Sequence, residues 1–378
     1  MPERVPAALE FAEKSLRDID LVDTFNIPPE NRRMGEALVE YLGRGGKYLR
    51  PAIVFSTIKA YGVTNVINGL WAALSIQLDH NYFLIHDDQE DRSYLRRGKP
   101  TMHILYGEDF AINYGDYLRC LAEDAMYYGS DIWDDRTFKR LTRARNEMLR
   151  ATSEGQDLEF QLRSRPLSEM TEGKILRILI NKTAVYTTKT GHRYGSIISG
   201  LLDSQIDLLE TPLINIGMAF QIQDDSLDLA KPKEEEKGEA TLVGQKFGKD
   251  WAGDLEEVKR TMPLLELYRR ASEDERQYIH KKLDIDGEMP RLAKMRYELR
   301  RRGLSDDDPE LQRIVAEMGE IKLRILEMMD SKNVIKDSQA RAKKLYDENI
   351  PQIESALPDT ENKKELLELL HFAVFRKF

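Results

Sequence analysis

Two aspartate-rich segments far apart in the chain share one spacing: Asp87-Asp88-Gln89-Glu90-Asp91 and Asp224-Asp225-Ser226-Leu227-Asp228. Each sets carboxylates at i, i+1 and i+4, and on a helix the first and last of these lie on one face, a turn apart. Like charges stacked so closely repel unless a cation neutralises them. One such cluster is most simply a solvated helix face. Here both follow apolar stretches, Tyr82-Phe83-Leu84-Ile85 and residues 214–222, so the carboxylates end helices whose flanks are buried and face a cleft. The pair constrains the fold: two long helices must bring their acidic ends to one cavity. Hard oxygen donors, few and open to water, suit magnesium shared with a substrate phosphate.

Helical periodicity dominates the rest. Residues 5–19, 33–43, 51–61, 66–91, 108–128, 135–163, 168–200, 207–230 and 252–270 read as helices, and helical patterns return at 310–328, 335–348 and 360–376. Alternating β-branched runs between hairpin turns are scarce. The expectation is an all-α, single-domain helical bundle with a central substrate cavity between facing helices. Breaks fall at Asn26-Ile27-Pro28-Pro29, Gly43 to Pro51 and Lys231-Pro232-Lys233, the last followed by Glu234-Glu235-Glu236, a solvated polar segment. Net charge is −9, which argues against general nucleic-acid binding. A single cysteine, Cys120, excludes an intrachain disulfide and a multi-cysteine zinc site and fits a reducing cytoplasm. The segment Met1 to Val5 lacks a signal-peptide apolar core, and no apolar run approaches the roughly 18 residues of a membrane span.

Cationic motifs surround the acidic ones. In Gly45-Gly46-Lys47-Tyr48-Leu49-Arg50-Pro51 the glycines let the backbone approach an anion, while Lys47 and Arg50 supply charge. The same residues also describe an ordinary glycine turn with surface charges. Arg96 and Arg97 follow the first acidic motif, and His80 precedes it by two turns. Lys182-Thr183 pairs a cation with a hydroxyl. Gln221 lies one turn before Asp224, and Lys249 and Lys259 follow the second motif. No single one of these is decisive; their order is.

With GGKYLRP, LIHDDQEDRSYLRRGKPT, GQDLE, KTAVY, FQIQDDSLDL and GKDWAGDLEEVKRTMP in sequence, the chain resembles the trans-isoprenyl diphosphate synthases of the polyprenyl synthetase family. The likeness runs from about Gly43 to Pro263. It implies the isoprenoid synthase fold, magnesium, a homodimer, and two substrates, isopentenyl diphosphate and an allylic diphosphate. By resemblance, Lys47, Arg50, His80 and Arg97 bind isopentenyl diphosphate. Asp87, Asp88, Asp91 and Asp224 hold magnesium against the allylic diphosphate. Asp225 and Asp228 complete the second acidic face, and Arg96, Lys182, Thr183, Gln221, Lys249 and Lys259 contact the allylic diphosphate. The chain then forms one synthase domain over 1–378, with an extra helical insertion around 271–335.

Val258 stands where the family usually has glycine, and Met262 where it has leucine. A class I terpene cyclase would share the scaffold but would leave GGKYLRP and Arg97 superfluous. A non-catalytic partner subunit would lose acidic positions that are all present here. Phe83 lies one turn before Asp87, about 6 Å deeper along the axis, with Tyr82 beside it. Rings there resemble the floor of short-chain synthases making farnesyl or geranylgeranyl diphosphate. Tyr82→Ala combined with Phe83→Ala is expected to lengthen the product; an unchanged chromatographic profile would show that the rings are core packing.

Overall fold

The computed structural model describes residues 5–229, 251–305 and 307–376. Helices α1 (Ala7–Arg17), α2 (Arg32–Gly43), α3 (Leu49–Ala60), α4 (Leu70–Glu90), α5 (Glu108–Gly129) and α6 (Asp135–Arg163) make the first half. Next come α7 (Glu172–Ile178), a π-helical stretch (Leu179–Lys189), α8 (Thr190–Ile198) and α9 (Glu210–Asp228). The remainder is α10 (Gly253–Glu256), α11 (Met262–Arg270), α12 (Glu273–Leu283), α13 (Glu288–Arg301), α14 (Pro309–Ser331), α15 (Val334–Ala356) and α16 (Lys363–Phe375). Among the described residues the only strands are Leu95–Arg96 and Lys99–Pro100, paired antiparallel. The fold is all-α, as the sequence pattern predicts.

Hydropathy decides which helices are central. From Leu49 to Ile58 every side chain of α3 is buried, as a helix apolar all round must be. The middle of α4, from Ala72 to Asp79, is buried likewise. The helix packs along α5, while α9 packs against α15 and the π-helical stretch. Outer helices keep a polar face and start at side-chain caps: Asp134 accepts from Thr137 N at 2.7 Å ahead of α6, and Ser272 and Glu275 form a capping box on α12. None of the helices searched among the described residues is long and apolar enough to cross a membrane.

Local structure departs from the sequence expectation in three places. The helix expected over 168–200 contains the π-helical stretch, a wider winding that periodicity averages away. The helix expected over 252–270 is broken: Val258 adopts φ 57°, and α11 restarts with Pro263 in its first turn. Helices α12 and α13 lie in the stretch where a helical insertion is expected around 271–335 but where periodicity assigns no element before 310, because their buried residues are few: Ile279 and Leu283 on α12, and Met289, Leu292, Tyr297 and Leu299 on α13.

One polar contact in the core ties α6 to α4. Arg145 donates two hydrogen bonds of 2.8 Å to the fully buried Asp79. Removing one partner of such a pair leaves an uncompensated buried charge. Arg145→Met should therefore cost about 3–5 kcal/mol of unfolding free energy, read as a lowered denaturant midpoint.

Candidate active site

The acidic ends of α4 and α9 open into one cavity of about 540 Å³. Asp87 enters from α4, and Asp224, Asp225 and Asp228 from α9; Lys182 comes from the π-helical stretch. Lys47, Arg50, His80, Arg96, Arg97, Thr183, Gln221 and Lys259 line the same space. The cationic motifs flanking the acidic ones in sequence therefore converge with them in space. Lys249 lies outside the described residues, as does the polar segment 231–236.

On the first wall each carboxylate meets a different cation. Asp87 Oδ1 accepts from Lys182 Nζ at 3.0 Å, and the same ammonium reaches Glu159 Oε1 at 3.0 Å. Asp91 accepts from Arg163 Nη1 at 2.5 Å and pairs with Lys259 at 2.8 Å. It lines a smaller cavity of about 170 Å³, which Asp228, Asp254 and Lys259 also line. Asp88, one residue on from Asp87 and so turned about 100° round the helix, is buried and accepts from Arg96 Nε at 2.7 Å. It does not line the larger cavity; it anchors Arg96, which the small hairpin carries back beside the helix end.

The second wall is a chain of hydrogen bonds. Thr183 Oγ1 donates to Gln221 Oε1 at 3.1 Å, and Gln221 Nε2 donates to Asp225 Oδ1 at 2.7 Å. Asp228 accepts from Gly253 N at 3.3 Å and Asp254 N at 3.1 Å, fixing the start of α10. Asp224 accepts from Arg376, whose guanidinium lies 4.5 Å from the centre of the Phe220 ring.

The glycine-rich turn lines the same cavity. Gly45 has φ 86°, and a Cβ at Gly46 would lie 3.2 Å from Arg97 Nη2, so both glycines are needed for the turn to pass against that arginine. Arg50 stacks 4.0 Å from the centre of the Tyr186 ring and donates to Thr187 Oγ1 at 2.9 Å. Tyr82 and Phe83 do not line the larger cavity. They stack on each other at 4.8 Å between centroids, with Tyr82 against His86 and Phe83 against Tyr186. Leu84 is the apolar residue that α4 presents to the cavity.

Some residues of the site carry no assignment from sequence reasoning. Glu159 lies in the quoted GQDLE motif, and Arg163 stands one turn later on the same helix. Asp254 lies in the quoted GKDWAGD stretch. Arg376 offers no local signal, since only folding brings this residue, which follows α16, beside α9.

A family description, "Polyprenyl synthetase", matches residues 31–299. The chain belongs to the polyprenyl synthetase family. It is 29% identical to geranylgeranyl diphosphate synthase of Saccharolobus solfataricus over 66% of this chain and 70% of that one. It is 30% identical to a short chain isoprenyl diphosphate synthase of Methanothermobacter thermautotrophicus, covering 71% and 75% respectively. Geranylgeranyl pyrophosphate synthetase from Pyrococcus horikoshii superposes with a TM-score of 0.74 at 24% identity, over 98% of this chain and 97% of that one. That likeness speaks to the fold. This polyprenyl synthetase is accordingly a prenyltransferase with the all-α isoprenoid synthase architecture.

Family members use a divalent metal to ionise a diphosphate. Among the described residues of this synthetase, no three His, Cys, Asp or Glu side chains are grouped to hold a metal ion. The first wall shows why: its carboxylates are already turned to lysine and arginine. Burial opposes ionisation of Asp87, yet Lys182, Lys259 and Arg96 outweigh it and hold the carboxyl below its usual range. On the second wall, burial, with Asp224 and Asp228 alongside, pushes Asp225 up to about 7 against the hydrogen bond from Gln221. Burial and Asp228 raise Asp254 as well. An excess of buried negative charge on hard oxygen donors is what a divalent cation relieves, so the residues present fit the metal.

Lys182 owes its position to a glycine on α6. A Cβ at Gly155 would lie 2.4 Å from Lys182 N and 2.8 Å from its Cα. Only a residue without a side chain allows α6 and the π-helical stretch of the synthetase to approach so closely. Gly155→Ala should lower stability by about 1–3 kcal/mol through overpacking and reduce kcat/KM at least about tenfold, with helical circular dichroism kept. Wild-type kinetics in that variant would show that the approach does not set Lys182.

Proposed function

We propose that this prenyltransferase joins isopentenyl diphosphate to an allylic diphosphate and releases a short-chain product, geranylgeranyl or farnesyl diphosphate. One observation carries the reading: two acidic helix ends and the cations Lys47, Arg50, Arg96, Arg97, Lys182 and Lys259 all face one cavity. A cavity built for ionisation alone has use for one diphosphate subsite. The cations here are more than one diphosphate needs, and in this reading Lys47, Arg50, His80 and Arg97 form a second subsite.

In this reading Lys182, Arg96, Lys259, Thr183 and Gln221 hold the allylic diphosphate, with Lys249 joining them. Asp87, Asp91 and Asp224 hold magnesium, Asp225 and Asp228 complete the second face, and Asp88 fixes Arg96. When bound, magnesium supplies Lewis-acid stabilisation of the leaving diphosphate. The chain's own cations stabilise the same developing charge from fixed positions. Breaking the allylic C–O bond leaves a carbocation, which water would quench. Leu84, Ile175, Ile178, Leu179 and Phe220 line the cavity and keep its floor apolar. The isopentenyl double bond then attacks the cation, and the proton lost from the adduct passes to the released diphosphate. Relatives named as geranylgeranyl and farnesyl diphosphate synthases support the product class. We also propose that the chain is one synthase domain, works as a homodimer, and acts in the cytoplasm.

Incubation with magnesium, labelled isopentenyl diphosphate and each allylic primer in turn tests the proposal. Label should enter a product of about 15 or 20 carbons, the lengths that the two named products have by one and two further five-carbon additions to a ten-carbon primer. Asp87→Asn should slow turnover about 10²–10³-fold, the scale of losing one charge-stabilising group. Primer consumed without incorporation of label would identify a cyclase instead.

A further inference from the structure

The segment from α12 to α14 carries no part of the chemistry above, yet it reaches the candidate site through buried charge. Lys322 on α14 is 1% exposed, and its ammonium donates to the Trp251 carbonyl at 2.5 Å and to the Glu256 carboxylate. Arg296 on α13 donates to the same carboxylate, with Nη1 at 3.2 Å. Glu256 is itself buried and does not line the larger cavity. It lies between two residues that do, Asp254 and Lys259.

The turn carrying these residues is under backbone strain. Ala252 and Val258 adopt φ 48° and 57°, a region that L side chains avoid and that is least tolerable for a β-branched one. Such a turn persists only where its surroundings over-determine it. On the cavity side Asp228 fixes Gly253 N and Asp254 N. On the other side the anchors come from the α12–α14 segment: the two cations on Glu256, and the Leu283 carbonyl, which accepts from Arg260 Nη1 at 3.1 Å. The strained turn delivers Lys259 to Asp91, 2.8 Å away on the opposite wall.

We infer that α12–α14 braces this turn, with Glu256 as its anchor point and Arg296 and Lys322 as positioning residues that set Lys259 against the allylic diphosphate. The inference rests on the proposed role of Lys259. Packing alone does not call for these charges, because apolar replacements of a buried ion cluster are often neutral or stabilising. What the charges add is direction: one carboxylate is held from two helices at once, so the turn cannot slide along either.

The test uses the full chain with Trp71→Phe and Trp133→Phe, so that Trp251, 5% exposed at the head of the turn, alone reports. The brace is removed without leaving a buried charge by Glu256→Gln, Arg296→Met and Lys322→Met together. Acrylamide quenching of Trp251 should increase in the unliganded protein. The KM for the allylic diphosphate should rise about ten- to a hundredfold, the scale of a misplaced binding group, while the KM for isopentenyl diphosphate stays within twofold. If the triple variant does not fold, Glu256→Gln alone should give the same split at about fivefold, with Lys322→Arg retaining wild-type values. Unchanged quenching overturns the brace. Increased quenching with an unchanged allylic KM keeps the brace and refutes the role given to Lys259. Equal changes in both KM values would also overturn the inference, since a general loosening has no preference between the subsites.

Discussion

Lys182 stands between two carboxylates from different helices, Asp87 on α4 and Glu159 on α6, 3.0 Å from each. The rest of the site follows from the need this contact meets. Carboxylates gathered at the mouth of an apolar cavity repel and resist ionisation. Cations of the chain itself hold four of them: Lys182 pairs with Asp87, Lys259 with Asp91, Arg96 with Asp88 and Arg376 with Asp224. Each of these four carboxylates is thus paired with a cation of the chain. A metal–diphosphate complex would bring both signs at once and could exchange with these pairs without leaving charge stranded.

Holding such pairs requires backbones closer than helices usually come. Gly155 lets α6 touch the π-helical stretch at Lys182, and Gly217 does the same for α9, where a Cβ would lie 2.6 Å from the Ala184 Cα. The wide winding of Leu179–Lys189 places Lys182, Thr183 and Tyr186 on the cavity together, as irregular helix often does at functional positions. Side chains of opposite walls therefore meet because of what the glycines lack.

Much of this was legible in the residues. The i, i+1, i+4 aspartates, the apolar flanks and the order of the cationic motifs define an all-α bundle and name most of the charged residues that line the cavity. Legibility ended where position depends on which partner a side chain meets in the folded chain. Asp88 looks equivalent to Asp87 in the motif, yet the helical turn between them sends it to Arg96. Phe83 lies on the helical line of Asp87, but Leu84 reaches the cavity and the ring packs on Tyr82 and Tyr186. Val258 occupies a glycine-like φ that no local preference of valine suggests; the surrounding anchors impose it.

The sequence by itself determined the chemistry available: two repeated oxygen-donor faces, several cationic motifs in a fixed order, and helices apolar enough to bury them. Those are properties of residue type and spacing, which periodicity exposes. Only the tertiary structure decided which carboxylate meets which cation, that Glu159 and Arg376 join the site, and that α12–α14 grips the turn before α11. Such pairings can join residues far apart in the chain, 95 positions for Asp87 and Lys182 and 152 for Asp224 and Arg376. Local spacing carries no information about them, because packing of the whole bundle sets them.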